Sequence, residues 1–243
     1  TDPQVVVEPE KLSRAGPPPC LMDAAFQALV IGIVQGLTEF LPISSSGHLI
    51  VVPYLLGWND PFLKSLAFGV VLHVGTLVAL LVYFWRDWAR LVPAGLAAIR
   101  DRSFAGDPDR RLAWIIAATM PPAIVAGLLL NDVFEREVRQ PLLVALMLVV
   151  GAAILWTTDR LGGRTAGVER LGFGGAFFIG CAQALALVPG ISRSGISISA
   201  GLALGLTREA AARFSFLMAA PIIAGAGAYE IRKLITGEAG VAV

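Results

Sequence analysis

Charge is what this chain has least of. Only 15% of its 243 residues are charged while 56% are hydrophobic, and the mean hydropathy is +0.73, which is too apolar for an ordinary soluble domain of this length. The net charge of +1 leaves no basic stripe apart from the interhelical loops, so nucleic acid is not an expected partner. The two cysteines, Cys20 and Cys181, have no spacing that makes a metal site or a disulfide framework. The first residues are polar and proline-rich (GPPPC) and lack the apolar core of a signal peptide, and they read as a flexible tail over 1–22.

What the chain does have is long stretches without charge. Uncharged windows cover 65–85, 112–131, 140–158 and 171–192, each near the roughly 20 residues that a spanning helix requires. Trp58, Trp85, Trp88, Trp114 and Trp156 lie near segment ends, where an amphipathic ring rests at headgroup level. The arginines of 86–111 outnumber its aspartates, whereas acids outnumber arginines in 132–139. The positive-inside bias puts the first loop inside and the second outside, with 159–170 inside again. Helical segments are expected at about 24–41, 44–57, 62–85, 112–130, 141–157, 172–188, 193–205 and 209–232, with a short amphipathic helix at 88–99.

The chain is also duplicated. QGLTEFLPISSSGHL (35–49) recurs as QALALVPGISRSGIS (183–197) at an offset of 148, which takes Gln35 to Gln183, Ile43 to Ile191 and Gly47 to Gly195. Each copy is an apolar run, a proline interruption, a serine cluster and a second apolar run. An odd number of crossings separates the copies, so the second enters from the opposite side. The expected fold is an all-α polytopic integral membrane protein: an inverted repeat with two re-entrant helix hairpins whose tips meet near the centre. The tail is followed by one membrane domain, 23–243, built from repeats at about 24–158 and 172–243. The second copy reaches Val243 without counterparts of 112–130 and 141–157, so it reads as shortened.

The breaks carry the chemistry. Glu39, His48 and Arg193 are ionisable groups in or beside apolar stretches, where each charge costs at least about 2.5–3.5 kcal/mol and must be compensated. Pro42 is expected to begin a helix that presents the amides around Ser44, Ser45 and Ser46, and Pro189 with Gly190 to do the same for Ser192 and Ser194. Two helix N-termini facing one cavity make an anion site, and Arg193 adds a donor fork suited to phosphate. Ser45 and His48 share a helical face, so the imidazole is placed to take the proton of a nucleophilic hydroxyl, with Ser44 geometrically almost as good. Glu39 beside an anion site either handles a proton or, with Gln35 one turn earlier, binds a divalent cation such as Mg²⁺ or Ca²⁺. His73 reads as a polar packing residue.

These motifs resemble the undecaprenyl-diphosphate phosphatase family, the bacitracin-resistance type of membrane enzyme. Its first motif matches Gln35 and Glu39, continued by Pro42, Ser44, Ser45, Gly47 and His48; its second, PGxSRSGxT, stands here as PGISRSGIS, with Ser197 in place of threonine. The likeness runs from about Leu29 to Arg232. It implies hydrolysis of undecaprenyl diphosphate to the monophosphate at the outer face of the bacterial inner membrane, which recycles the lipid carrier of peptidoglycan synthesis and confers bacitracin resistance. It implies Ser45 as nucleophile assisted by His48 and Glu39, with Arg193, Ser192 and Ser197 gripping the diphosphate. The expected partners are a polyprenyl diphosphate lipid, the bilayer and a second copy in a homodimer. A lipid flippase is the competing reading, because inverted repeats with broken helices also build transporters. A purely structural subunit leaves Glu39 and Arg193 unexplained.

Overall fold

The computed structural model describes residues 21–104, 106–137 and 140–236. Among the described residues ten α-helices follow one another: α1 (Leu21–Phe40), α2 (Ser45–Leu56), α3 (Leu66–Tyr83), α4 (Trp85–Asp101), α5 (Pro108–Ala118), α6 (Met120–Glu137), α7 (Pro141–Leu161), α8 (Phe173–Ala184), α9 (Arg193–Ala203) and α10 (Arg208–Thr236). Among the described residues, three helical stretches are long and apolar enough to cross a membrane: Pro108–Leu129, Pro141–Leu161 and Arg208–Thr236. A fourth is possible if the bent pair α3 and α4 counts as one span. Large apolar side chains such as Leu142, Leu129 and Val82 point outward, an arrangement that hydrocarbon accepts and water does not. The chain is a polytopic, all-α membrane protein.

Three boundaries differ from the sequence expectation. The segment expected at 112–130 is one apolar stretch, Pro108–Leu129, whose helical bonding is interrupted at Thr119, where α5 ends and α6 begins, because Pro121 and Pro122 supply no N–H to the turn before them. The amphipathic helix expected at 88–99 is α4, which runs longer at both ends, Trp85–Asp101; α3 and α4 meet at an angle of 84°, and α4 buries Leu91 and Ala98 while Arg90 and Arg100 face out, as a helix lying in the interface does. Of the acidic stretch 132–139, the part up to Glu137 continues α6. Cys20 and residues 1–20 of the tail lie outside the described residues.

Ion pairs show how the ends are grouped. Arg213 at the start of α10 pairs with Asp87 on α4 at 2.6 Å, and Arg208 grips Asp159 at the end of α7 through two bonds of 2.6 Å. The 165–166 segment pairs with 205–207, with Thr207 N donating to Ala166 O at 2.9 Å. The end of α3, the end of α7, the end of α9 and the start of α10 therefore share one arginine-rich face. Helix α2 runs to the other face, where the chain turns at Gly57 and enters α3.

Helices α2, α8 and α9 have 12, 12 and 11 residues, about 18 Å of length at 1.5 Å per residue, which is too short to span. Helix α1 packs on α2, and α8 packs on α9, so each pair folds back at its break. The pairs reach inward from opposite faces, which makes the repeat inverted. The tips touch: Ser194 Oγ donates to Leu41 O at 3.1 Å, and a Cβ on Gly195 would lie 3.2 Å from Pro42 O. Both hairpins lean on α7. Gly190, at φ +100°, passes so close that a Cβ would meet Val144 O at 2.6 Å, a position only glycine can hold.

Candidate active site

Neither short helix begins at its proline. The first turn starts at Ser45 with Ser44 as N-cap, and the second at Arg193 with Ser192 as N-cap; Pro42 and Pro189 lie in the turns before them. Serine takes the cap because its hydroxyl can accept an orphan amide, which a proline ring cannot do. Ser44 Oγ accepts Gly47 N at 3.3 Å, and Ser192 Oγ accepts Gly195 N at 3.0 Å. Each cap serine also meets the serine two residues on: Ser44 with Ser46 at 3.2 Å and Ser192 with Ser194 at 3.0 Å. Both bonds of the cap recur at the 148-residue offset.

At the crossing of the two breaks lies Glu39, the penultimate residue of α1, with its side chain only 4% exposed. Its Oε2 accepts Gln35 Nε2 at 3.0 Å and Ser45 Oγ at 2.5 Å, and its Oε1 accepts a guanidinium N–H of Arg193. One buried carboxylate thus gathers three donors from both halves of the chain. Three donors satisfy the carboxylate's oxygens, and the arginine balances it where hydrocarbon would otherwise penalise both groups. Arg193 keeps 21% of its side chain exposed, leaving it the outer member of the pair.

The other expected residues fall as follows. His48 Nδ1 lies 2.7 Å from the Ser44 carbonyl; a carbonyl only accepts, so Nδ1 carries a proton there and Nε2 is the nitrogen left facing away from that bond. The expected bond between His48 and Ser45 is not made: the Ser45 hydroxyl turns to the nearer anion, Glu39. Ser44, at φ +67°, holds a strained backbone that non-glycine residues seldom adopt outside functional turns. Ser192 and Ser194 are buried and use their hydroxyls on each other, on the cap and on Leu41 O. Ser197 is also buried, donates to Arg193 O at 2.7 Å and meets Ser215 Oγ at 2.6 Å. Ser215, a small residue inside α10, gave no motif signal. Gln183, the repeat partner of Gln35, is buried with both amide atoms unpartnered. His73 directs Nδ1 to Gly69 O at 2.8 Å, inside its own helix.

Residues 28–242 match the family described as bacitracin resistance protein BacA. The chain belongs to this family. Among relatives, a protein of Desulforudis audaxviator named undecaprenyl-diphosphatase is 48% identical over 212 residues, covering 87% of this chain and 78% of its own. One of the same name from Alcanivorax borkumensis is 50% identical over 210 residues, covering 86% and 77%, and one from Gemmatimonas aurantiaca is 50% identical over 197 residues, covering 81% and 72%. The stretch matched to the BacA family contains Gln35, Glu39, Ser45, His48 and Arg193, so the whole constellation around the carboxylate lies inside the likeness.

Proposed function

We infer that this protein is an undecaprenyl-diphosphatase, a hydrolase that converts undecaprenyl diphosphate to undecaprenyl phosphate and inorganic phosphate. The reaction returns the lipid carrier to peptidoglycan synthesis and underlies bacitracin resistance. The observation that carries the reading is the shared carboxylate, with Ser45 and Arg193 from the two breaks meeting on Glu39. A hydroxyl, a base and a phosphate-binding cation are thereby placed within one side chain's reach at the centre of an apolar domain. The surrounding exposed leucines and valines suit a polyprenyl tail that stays in the bilayer.

Glu39 is positioned to take the proton of Ser45 Oγ as that oxygen attacks the terminal phosphorus. The oxygen–phosphorus bond forms while the bridging phosphoanhydride bond breaks, and the lipid monophosphate departs. Arg193 turns from Glu39 to the phosphate oxygens, and the uncommitted first-turn amides of α2 and α9 face the developing charge. His48 Nε2, its tautomer fixed by the Ser44 carbonyl, can deprotonate the water that releases inorganic phosphate from Ser45.

A divalent cation fits the donors in part. Gln35 Oε1 is a buried oxygen without a partner, beside the Glu39 carboxylate, and hard cations take such oxygens together with phosphate. No group of three His, Cys, Asp or Glu suited to a metal occurs among the described residues, so an ion held by Glu39 and Gln35 would rely on the diphosphate for its other ligands. When bound it would neutralise phosphate charge.

We place the protein in the bacterial plasma membrane with the arginine-rich face inside and the pocket opening toward the outer side. The test is phosphate release from undecaprenyl diphosphate by the purified chain in micelles, with and without chelator, for the native protein and Ser45→Ala. Release is expected from the native chain and lost in the variant; retained turnover in Ser45→Ala would shift the attack to water. The opposed hairpins also suit a flippase. Movement of labelled lipid between leaflets without phosphate release would favour that second reading.

A further inference from the structure

We propose that Ser215, through Ser197, is a positioning residue for Arg193; the proposal rests on the phosphatase reading above. Ser197 and Ser215 are each 2% exposed, and their hydroxyl oxygens lie 2.6 Å apart. The proton assignment follows from valence. Ser197 Oγ lies 2.7 Å from Arg193 O and 3.2 Å from Ser194 O. Carbonyls only accept, so the single Ser197 proton goes to the Arg193 carbonyl and Ser215 must donate to Ser197 Oγ. The result is a directed chain, Ser215 O–H to Ser197 O–H to Arg193 C=O, running from α10 to the first residue of α9.

A serine that bonds back to the carbonyl four residues earlier is ordinary in a membrane helix, and it alone would mean little. What distinguishes this one is where the chain ends and what else holds that end. Arg193 is the first residue of a helix that starts at mid-depth, where its own amide has no helical partner. Its side chain is held by Glu39, and that hold is given up when the guanidinium turns to phosphate. Beyond the Ser192 cap and the packing of α9 on α7 and α8, the tip at Arg193 then has the Ser194 contact with Leu41 O on one side and the hydroxyl chain to α10 on the other. Helix α10 is a stable reference: Phe214, Leu217 and Met218 around Ser215 belong to the main core with Phe84 and Ile115. Ser197 accordingly faces α10 rather than the ligand, and its contribution to diphosphate binding is indirect. In the first repeat the positions of Ser197 and Ser215 are held by Leu49 and Ala67, so only the half carrying the arginine has this device.

The experiment is a double-mutant cycle on phosphate release from undecaprenyl diphosphate in micelles, with KM and kcat measured separately. Ser215→Ala and Ser197→Ala are each expected to raise KM about five- to tenfold, the size of one interhelical hydroxyl bond in a membrane protein. Ser215→Thr, which keeps the donor, should restore most of the loss. In an Arg193→Lys background, Ser215→Ala should change the residual activity less than about twofold, because its effect passes through the guanidinium. Native kinetics in both alanine variants would overturn the proposal, as would an equal loss in the Arg193→Lys background. If Ser215→Ala does not fold, Ser197→Ala carries the same test. Native activity in Arg193→Lys together with native activity in Arg193→Ala would instead defeat the phosphatase reading on which the proposal stands.

Discussion

The two breaks share a backbone and differ in chemistry. Both are built on a serine cap that accepts the amide three residues on and pairs with the serine two residues on. At the offset of 148, however, Ser45 corresponds to Arg193, Glu39 to Leu187, and His48 to Ile196. Duplication supplied two inward-facing helix N-termini. Divergence then put the hydroxyl, the carboxylate and the imidazole on one side and the cation on the other, so that neither half holds a working set alone. Strain is distributed differently as well: the first break has its positive φ at Ser44, the second at Gly190.

Making the halves alike should break this division, and the largest effect is expected at Glu39. Glu39→Leu copies the residue at 187; it removes the proton acceptor of Ser45 and leaves Arg193 without its counter-charge. Phosphate release should fall by about 10³-fold or more, and thermal unfolding in detergent should show a loss of about 3–5 kcal/mol. Arg193→Ser, which gives the second break the serine triplet of the first, should lower kcat/KM by about 10²- to 10³-fold through lost charge stabilisation. It should leave the far-ultraviolet circular dichroism unchanged, since the caps are untouched.

Gly190→Ala tests the tip rather than the chemistry. A Cβ there would stand 2.6 Å from Val144 O and 2.7 Å from Met147 Cβ, at a φ of +100°, so a stability loss of about 2–4 kcal/mol is expected by thermal melting. The smallest effect sharpens the comparison of the two glutamines. Gln35→Leu removes a donor from the Glu39 carboxylate and should cost activity about tenfold. Gln183→Leu removes an amide with no partner, and melting should place it within about 1 kcal/mol of the native chain or above it. A large loss at Gln183 would show that the second half contributes more than its arginine.

Much of the fold was legible because charge is so scarce. The uncharged run 140–158 became α7, and the expected helices at 44–57 and 193–205 are α2 and α9 within two residues at each end. Where reading failed, the cause was local and short-ranged. Pro121 and Pro122 interrupt the helical bonding at Thr119 inside the one apolar stretch Pro108–Leu129, and the caps displaced Pro42 and Pro189 from the first helical turn. Within the site, helical spacing brought His48 to Ser45, yet spacing within one helix does not rank its partners against a carboxylate arriving from another. Ser215 was invisible for the same reason: a lone serine in an apolar helix has meaning only once the hydroxyl opposite it is known.

The sequence by itself determined the membrane class, the duplication and the residue types at each break, since composition and a fixed offset survive without coordinates. Which groups face one another was decided only by the tertiary structure. Residues 39, 45 and 193 share one carboxylate because two hairpins entering from opposite faces must meet at their tips, and a contact across 154 residues of chain leaves no trace in local periodicity.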